Sequence, residues 1–420
     1  MSVKYEALRG MEDILPGEIE KWQWLEEKAR AFFQGNRFKE IRTPVLEYTE
    51  LFSRSVGESS DIVSKEMFSF EDRGGRNVTL RPEMTASVAR AVIEHGLLSQ
   101  AKSLRFFYIG PMFRAERPQA GRKRQFHQIG IEIINESGVI PDLEAVFYIY
   151  DFLKYAGVVD LELRINDLGS LDAQQKTAEK LKGYFSQTIG SLCKDCQYRL
   201  EKNVLRIFDC KNESCQPVID KAPWEEIAPL GDDFKNVVSE LERRRIPFLI
   251  KRRLVRGLDY YNGLVFEVAA KGLGAQDALA GGGRYDRLYS DLGGKPTPCI
   301  GFSIGMERLL MALGDTAAQK ARENVIYFAP LLSANDDTMR VIKQTMDGLI
   351  EGGMKPSLGE STLKLDSHLK AAIRMNAKYL VILGPEEFAA KKWKLKDMDK
   401  RSEELVEWGK LFNAIKKVTV

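Results

Sequence analysis

Residues 125–134, QFHQIGIEII, alternate in character. In an extended chain His127, Ile129, Ile131 and Ile133 fall on one side, and Gln128, Gly130 and Glu132 on the other. The first set predicts a face packed on a core, with His127 as a packed core histidine. The second set places two polar groups about a glycine, which leaves space where a side chain would stand. That is the pattern of a strand lining a small polar pocket. The run LRFFYIGPMF, 104–113, is apolar and aromatic and predicts a partner strand. Pro118 and Gly121 between them are turn formers, so the two runs predict an antiparallel hairpin.

The rest of the chain can be read the same way. Trp22, Leu25, Ala29 and Phe32 recur at helical spacing and predict an amphipathic helix over 18–35. In FKEIRTPVLEYTELF, Pro44 demotes the strand to an edge or a bulge. VTLRPEMTASVARAVIEH predicts a strand ending at Arg81 and a helix from about Pro82, since proline suits a first helical turn. A helix over 141–156 and the strand LELRIND follow. From about 170 to 246 the composition shifts to Lys, Gln and Glu, reads as mainly helical and holds four of the five cysteines, which predicts an inserted domain. Sheet character returns in LVRGLDYYNGLVFEVAA, AGGGRYDRL and TPCIGFSIG. After the polar stretch GDTAAQKARE, the runs NVIYFAP, TMRVIKQTMDGLIEGG and HLKAAIRMNAKYLVILG alternate strand and helix, predicting a compact α/β module.

Composition narrows the class of protein. A chain of 420 residues, 44% hydrophobic and 29% charged, can bury large cores in two or three domains. Its net charge of +3 is too mild to argue for nucleic acid by itself, so any basic surface must be local. No apolar run is long enough to span a bilayer, and MSVKYEALRGMEDILPG has no hydrophobic signal core; both predict a soluble, cytoplasmic protein without a membrane partner. The dense basic stretch is the tip of the hairpin, with Arg114, Arg117, Arg122, Lys123 and Arg124. Arginine suits planar recognition of phosphate or carboxylate, although a basic loop can also be only a solvated one. The cysteines are spaced C-x2-C and C-x4-C, as Cys193, Cys196, Cys210 and Cys215. Two such pairs suit a structural zinc site or stand as unliganded thiols, a disulfide being disfavoured in a reducing compartment. Cys299, in an apolar run, reads as core.

RGMEDILP, TLRPEMT, FRAERPQAGRKRQFHQ, LVRGLDYYNG, GGGRYD and GFSIGMERLL follow one another in that order. In this the chain resembles the histidyl-tRNA synthetases, a family of class II aminoacyl-tRNA synthetases, over essentially its whole length. The resemblance implies an α+β fold with an antiparallel-sheet catalytic domain over 1–321, the helical insertion at about 170–246 lying within it. It also implies a C-terminal α/β anticodon-binding domain over 324–420, and a homodimer. The implied activity is ATP-dependent ligation of L-histidine to tRNA(His) through a histidyl-adenylate, with Mg2+ bridging the phosphates of ATP. Zinc is not a general feature of the family.

The resemblance also implies roles. Arg114 would hold the α-phosphate and Arg122 the γ-phosphate of a bent ATP, with Arg308 as a third nucleotide arginine. Arg117 and Arg124 either join them or solvate the loop. Glu83, Thr85 and Gln128 would bind the α-amino group, since a cation wants a carboxylate and neutral acceptors. Glu132 and Tyr261 would face the imidazole, with Tyr260 beside them. Arg256 would set a fixed positive charge near the α-phosphate, the alternative being a salt bridge to Asp259. Gly301 and Gly305 either let adenine approach the backbone or serve as turn residues, and the glycines at 281–283 are equally open. Met84 departs from the pattern, which has a smaller residue there, often glycine; the methionine of GMERLL stands where leucine is commoner. The competing reading is the catalytically silent regulatory paralogue of ATP phosphoribosyltransferase, which typically lacks the catalytic motifs and the C-terminal domain. The presence of Arg256, Glu83, the hairpin arginines and residues 324–420 favours the enzyme. A general RNA-binding protein would need a stronger basic stripe or stacking aromatics.

Overall fold

The computed structural model describes residues 5–57, 60, 62–119, 121–255, 257–271, 273, 277–322, 325–333 and 335–417. The chain divides into two compact units, one of residues up to Asp13 with Glu26–Leu313, the other of Ile14–Leu25 with residues from Gly314 onward.

The strands of the first unit are, in chain order, β1 (Lys39–Glu40), β2 (Leu46–Tyr48), β3 (Phe68–Glu71), β4 (Asn77–Leu80), β5 (Leu104–Phe113), β6 (Gln125–Ile134), β7 (Leu161–Asp167), β8 (Phe248–Ile250), β9 (Asn262–Ala270), β10 (Ala278–Arg284) and β11 (Cys299–Gly305). Eight of them form one sheet in the order β1-β5-β6-β11-β10-β9-β7-β8. Pairing is parallel only at its two ends, β1 with β5 and β7 with β8, and antiparallel between. β2, β4 and β3 form a small antiparallel sheet of their own. Helices lie against the large sheet, so the architecture is α+β, as the motifs implied. Pro44 acts through its missing N–H: the strand stops at Glu40, resumes at Leu46 and joins a different sheet.

The hairpin forms as expected, β5 and β6 pairing from Leu104↔Ile134 to Phe113↔Gln125. Ile129, Ile131 and Ile133 are fully buried. They share a core with aromatic rings from three directions. Phe33 of helix Ile19–Gly35 meets Phe152 of helix Val139–Ala156 at 5.1 Å and stacks on Phe107 of β5 at 5.8 Å. Emptying such a site, as by Phe33→Ala, costs about 3–5 kcal/mol. The apolar stripe of the first helix runs Trp22, Leu25, Ala29, Phe33; the expected Phe32 is half-buried and sits edge-on to Phe33. Helix Val139–Ala156 stops at Gly157, whose φ of 104° lets its N–H turn back to the last carbonyls.

Between β7 and β9 the chain is mainly helical, with helices Leu171–Ser186, Lys194–Lys202 and Asp232–Arg243 among them. Leu181, Phe185, Cys196, Ile207, Cys215 and Trp224 form a separate core there. In the second unit β12 (Val325–Pro330), β13 (Lys355–Leu358), β14 (Tyr379–Leu383), β15 (Lys392–Asp397) and β16 (Ser402–Glu407) form a sheet in the order β13-β12-β14-β15-β16. β12 is parallel to both its neighbours, and β15 and β16 close the sheet as an antiparallel hairpin. Helices Asp336–Glu351 and Leu365–Arg374 alternate with the parallel strands, as read from the sequence.

Candidate active site

On the face of β6 opposite the isoleucines, every polar side chain lies across from a glycine. Glu132 faces Gly301 of β11, and Gln128 faces Gly305 on one side and Gly110 of β5 on the other. Gly130 in turn lies between Tyr108 and Ser303. The reason is steric. A Cβ at Gly301 would collide with the Glu132 carboxylate, and one at Gly130 with the phenol of Tyr108. The space foreseen at Gly130 is therefore filled by Tyr108, and the pocket opens beside it. Glu83, Thr85, Arg114, Gln128, Tyr260, Tyr261, Gly281 and Tyr285 line that pocket.

Two carboxyls are buried here, Glu83 in the lining and Glu132 directly behind Thr85, Tyr285 and Gly301. Glu132 is 1% exposed and accepts from Thr85 Oγ1 at 2.8 Å and from the Tyr285 hydroxyl. Burial pushes its pKa up to about 8 in spite of those two donors. Glu83 is 4% exposed, and burial raises its pKa also. Its carboxylate takes the Thr85 N–H at 2.7 Å and the Ala86 N–H at 2.9 Å, the first free amides of helix Thr85–Glu94. This cap corrects the expected start at Pro82: the helix begins at Thr85, and residues 82–84 form the bend that brings Glu83 inward. Gln128 donates its amide to Ser303 Oγ at 3.3 Å, while its buried Oε1 meets no donor. An acceptor left in that state costs about 1–3 kcal/mol, and it points to a ligand that donates. Tyr260 is fully buried with its hydroxyl 3.5 Å from Glu83, and Tyr261 is half-buried at the wall.

Arg114 brings a cation to the same lining. Arg114 follows β5 directly, donates Nε to Pro82 O at 3.0 Å and lies over the Phe126 ring. Arg122 pairs with Glu116 at 3.2 Å. Arg308 is in helix Met306–Leu313; its Nε makes no hydrogen bond, and burial together with the nearby charge of Arg122 lowers its pKa. Two guanidinium groups brought together in this way suit an anion between them. Arg124 donates to Glu116 O, and Arg117 is exposed. Arg256 lies outside the described residues.

Other expectations need correcting. His127 is not a core residue: it is half-buried, and both its backbone N–H and its ring Nδ1 meet Glu307. The glycines at 281–283 lie inside β10, not in a turn; a Cβ at Gly282 would strike Gly301 O and Phe302 on the adjoining strand. Gly301 is likewise inside a strand, and Gly305 ends it. Met84 is buried and its sulfur accepts from Thr43 Oγ1 at 3.1 Å, so the larger residue is packed without displacing Glu83. Tyr108, Tyr285 and Ser303 were not foreseen as site residues. Tyr285 belongs to the motif GGGRYD, and Tyr108 alternates with Phe107 in β5; those were the available signals.

An antiparallel sheet carrying a buried amino-acid-sized pocket with an arginine, Arg114, in its lining is the catalytic fold of the class II aminoacyl-tRNA synthetases. The histidyl-tRNA synthetase family model matches residues 10–184 and 212–309, and an anticodon binding domain model matches residues 326–418. A histidine–tRNA ligase of Halothermothrix orenii is 44% identical over 402 residues, which is 95% of each chain. One from Synechococcus sp. is 43% identical over 396 residues, 94% of each. The apo structure of S. aureus histidyl-tRNA synthetase, 30% identical, superposes with a TM-score of 0.70 over 98% of this chain and 100% of that one. The chain belongs to the histidyl-tRNA synthetase family.

Proposed function

We propose that the chain is a histidine–tRNA ligase, which activates L-histidine with ATP and transfers it to tRNA(His). The observation that carries the reading is the buried set of Glu83 and Gln128 Oε1 in one pocket lining with Glu132 directly behind it, together with the guanidinium of Arg114 in the same lining. A zwitterionic amino acid with a second basic ring satisfies all of them. Its ammonium donates to Glu83, Thr85 Oγ1 and Gln128 Oε1. Its imidazole lies between Glu132 and Tyr261. A side chain without ring nitrogens would leave the buried Glu132 only its hydroxyl partners Thr85 and Tyr285, without the basic group that favours its charged form, so the pocket disfavours it.

Arg114 neutralises the α-phosphate while the histidine carboxylate attacks phosphorus in line, forming a P–O bond to histidine as pyrophosphate departs. Arg122 and Arg308 hold the far phosphates, which orients the leaving group. Arg256, by its place in LVRGLDYYNG, supplies a further fixed charge there. Magnesium enters with ATP as part of the substrate. The terminal ribose of tRNA then attacks the adenylate carbonyl and releases AMP. Residues 326–418 read the anticodon loop, whose splayed bases such modules recognise. The working form is a homodimer in the cytoplasm; no helix among the described residues is long and apolar enough to cross a membrane.

The regulatory reading is not favoured, because the chain matches ligases over nearly its whole length and retains the anticodon module. The test is histidine-dependent exchange of labelled pyrophosphate into ATP. Exchange that responds equally to other amino acids would argue against the assignment of Glu132 and Tyr261.

A further inference from the structure

Four thiols that aminoacylation does not use come together in the helical insertion. Cys193 precedes helix Lys194–Lys202 and Cys196 lies in its first turn, while Cys210 and Cys215 return from the next segment. All four sulfurs lie within 4.8 Å of one another, and those of Cys193 and Cys210 are 3.8 Å apart. Ligands about 2.3 Å from a tetrahedral zinc ion are separated by about 3.8 Å. The surroundings suit thiolates. The Cys193 N–H donates to Cys215 Sγ at 3.1 Å, and the Asn212 N–H to Cys210 Sγ at 3.4 Å. Lys194, Arg199 and Lys211 border the same cleft together with Asp195 and Asp209, a balance of one positive charge beside the two negative charges that four thiolates and one Zn2+ leave. Three of the four cysteines fall in residues 185–211, between the two stretches that the family model matches.

The segment between the cysteine pairs reaches the active site. Asn203 donates Nδ2 to Asp259 at 2.9 Å, and the Arg206 guanidinium lies beside Gly257. Gly257 and Asp259 belong to LVRGLDYYNG.

We propose that Cys193, Cys196, Cys210 and Cys215 bind one Zn2+ as a closed structural site. By fixing helix Val204–Asp209 and Asn203 before it, the site also holds residues 257–259 in place. Binding is ligand exchange: four S–H bonds release their protons to solvent, four Zn–S bonds form, and nothing is oxidised.

The metal claim is tested on the full chain without reference to activity. Protein purified without chelators should carry about one zinc per chain by elemental analysis. After chelation, added Co2+ should give the visible bands and sulfur-to-metal charge transfer of a tetrahedral four-thiolate site. Cys196→Ser and Cys215→Ser should lose both signals; Cys299→Ser should keep them. Wild-type protein with under about a tenth of a zinc per chain and no cobalt spectrum would overturn the proposal. Cobalt bands that survive in Cys215→Ser would overturn this ligand set. Because the cobalt test is made on wild-type protein, a variant that fails to fold does not protect the claim.

The link to the active site rests on the functional reading above. Metal-free protein should lose pyrophosphate exchange by about tenfold or more, and zinc should restore it. Full exchange without metal would overturn the link. Absence of exchange in the zinc-loaded protein would instead overturn the functional reading, leaving the metal count as its own result.

Discussion

Glu132→Gln should strengthen the fold at alkaline pH while weakening its hold on histidine. The carboxyl is 1% exposed, and burial raises its pKa from an ordinary 4.5 to about 8, against the donors Tyr285 and Thr85. Below 4.5 the group is neutral in both the folded and the unfolded chain, so it costs nothing. Between 4.5 and about 8 the unfolded chain ionises while the folded chain keeps its proton, so stability falls as pH rises. Above about 8 both are ionised and the whole cost stands. That interval corresponds to roughly 5 kcal/mol, a ceiling that relaxation of the pocket lowers. Glutamine has nearly the same shape, and the hydroxyls of Thr85 and Tyr285 can accept from its NH2 as well as donate to its oxygen. The assay is thermal unfolding of both proteins at about pH 4 and about pH 8.5, with calorimetric titration of histidine at about pH 8.5, where the folded carboxyl is largely ionised. The two proteins should melt together at the lower pH, and the variant several degrees higher at the upper one. The histidine Kd should rise about 5- to 10-fold, because a bond to a charged group, about 1.5–3 kcal/mol, is replaced by a neutral one of about 0.5–1.5 kcal/mol. A melting difference that does not change with pH would refute the raised carboxyl, and an unchanged Kd would refute its contact with the imidazole.

Four other outcomes are expected. Arg256→Ala should slow adenylate formation in single-turnover experiments by about 10²–10³ with a smaller effect on histidine affinity, and Arg256→Lys should rescue poorly because an ammonium lacks the planar fork. Gly301→Ala drives a Cβ into the Glu132 carboxylate and Ile131 O; it should cost about 1–3 kcal/mol in thermal unfolding and abolish histidine binding, whereas Gly348→Ala, with open space around it, should be neutral or stabilising. Removing residues 324–420 should leave pyrophosphate exchange largely intact in a folded fragment while tRNA charging is lost. Light scattering at micromolar concentration should give the mass of a dimer, twice 47.6 kDa.

The parts of the fold visible in the sequence are those governed by short periods. The β5–β6 hairpin, helix Ile19–Gly35 and the strand–helix alternation after residue 325 each repeat a pattern over a dozen residues or so. The opposition of Gln128 and Glu132 to glycines on β11 depends on a register between residues some 170 apart, which no local pattern specifies. Tyr285 stayed hidden for that reason: only the sheet order β6-β11-β10 carries the segment ending β10 to the Glu132 carboxylate. His127 misled because alternation assigns a face but not a depth; it sits near the open end of β6, where Glu307 can reach it. The helix start was misplaced because proline at 82 is a generic signal, whereas the cap comes from the side chain of Glu83. The β15–β16 hairpin alternates as well, Trp393 and Leu395 being buried between lysines.

The most direct test of the whole account is a two-stage measurement on the purified full chain: exchange of labelled pyrophosphate into ATP with each amino acid in turn, then charging of total tRNA with labelled histidine. The account predicts exchange with histidine alone and charging of tRNA(His) alone. A folded protein that binds histidine yet exchanges no pyrophosphate would contradict it, since Arg114 in the pocket lining would then hold no reacting phosphate.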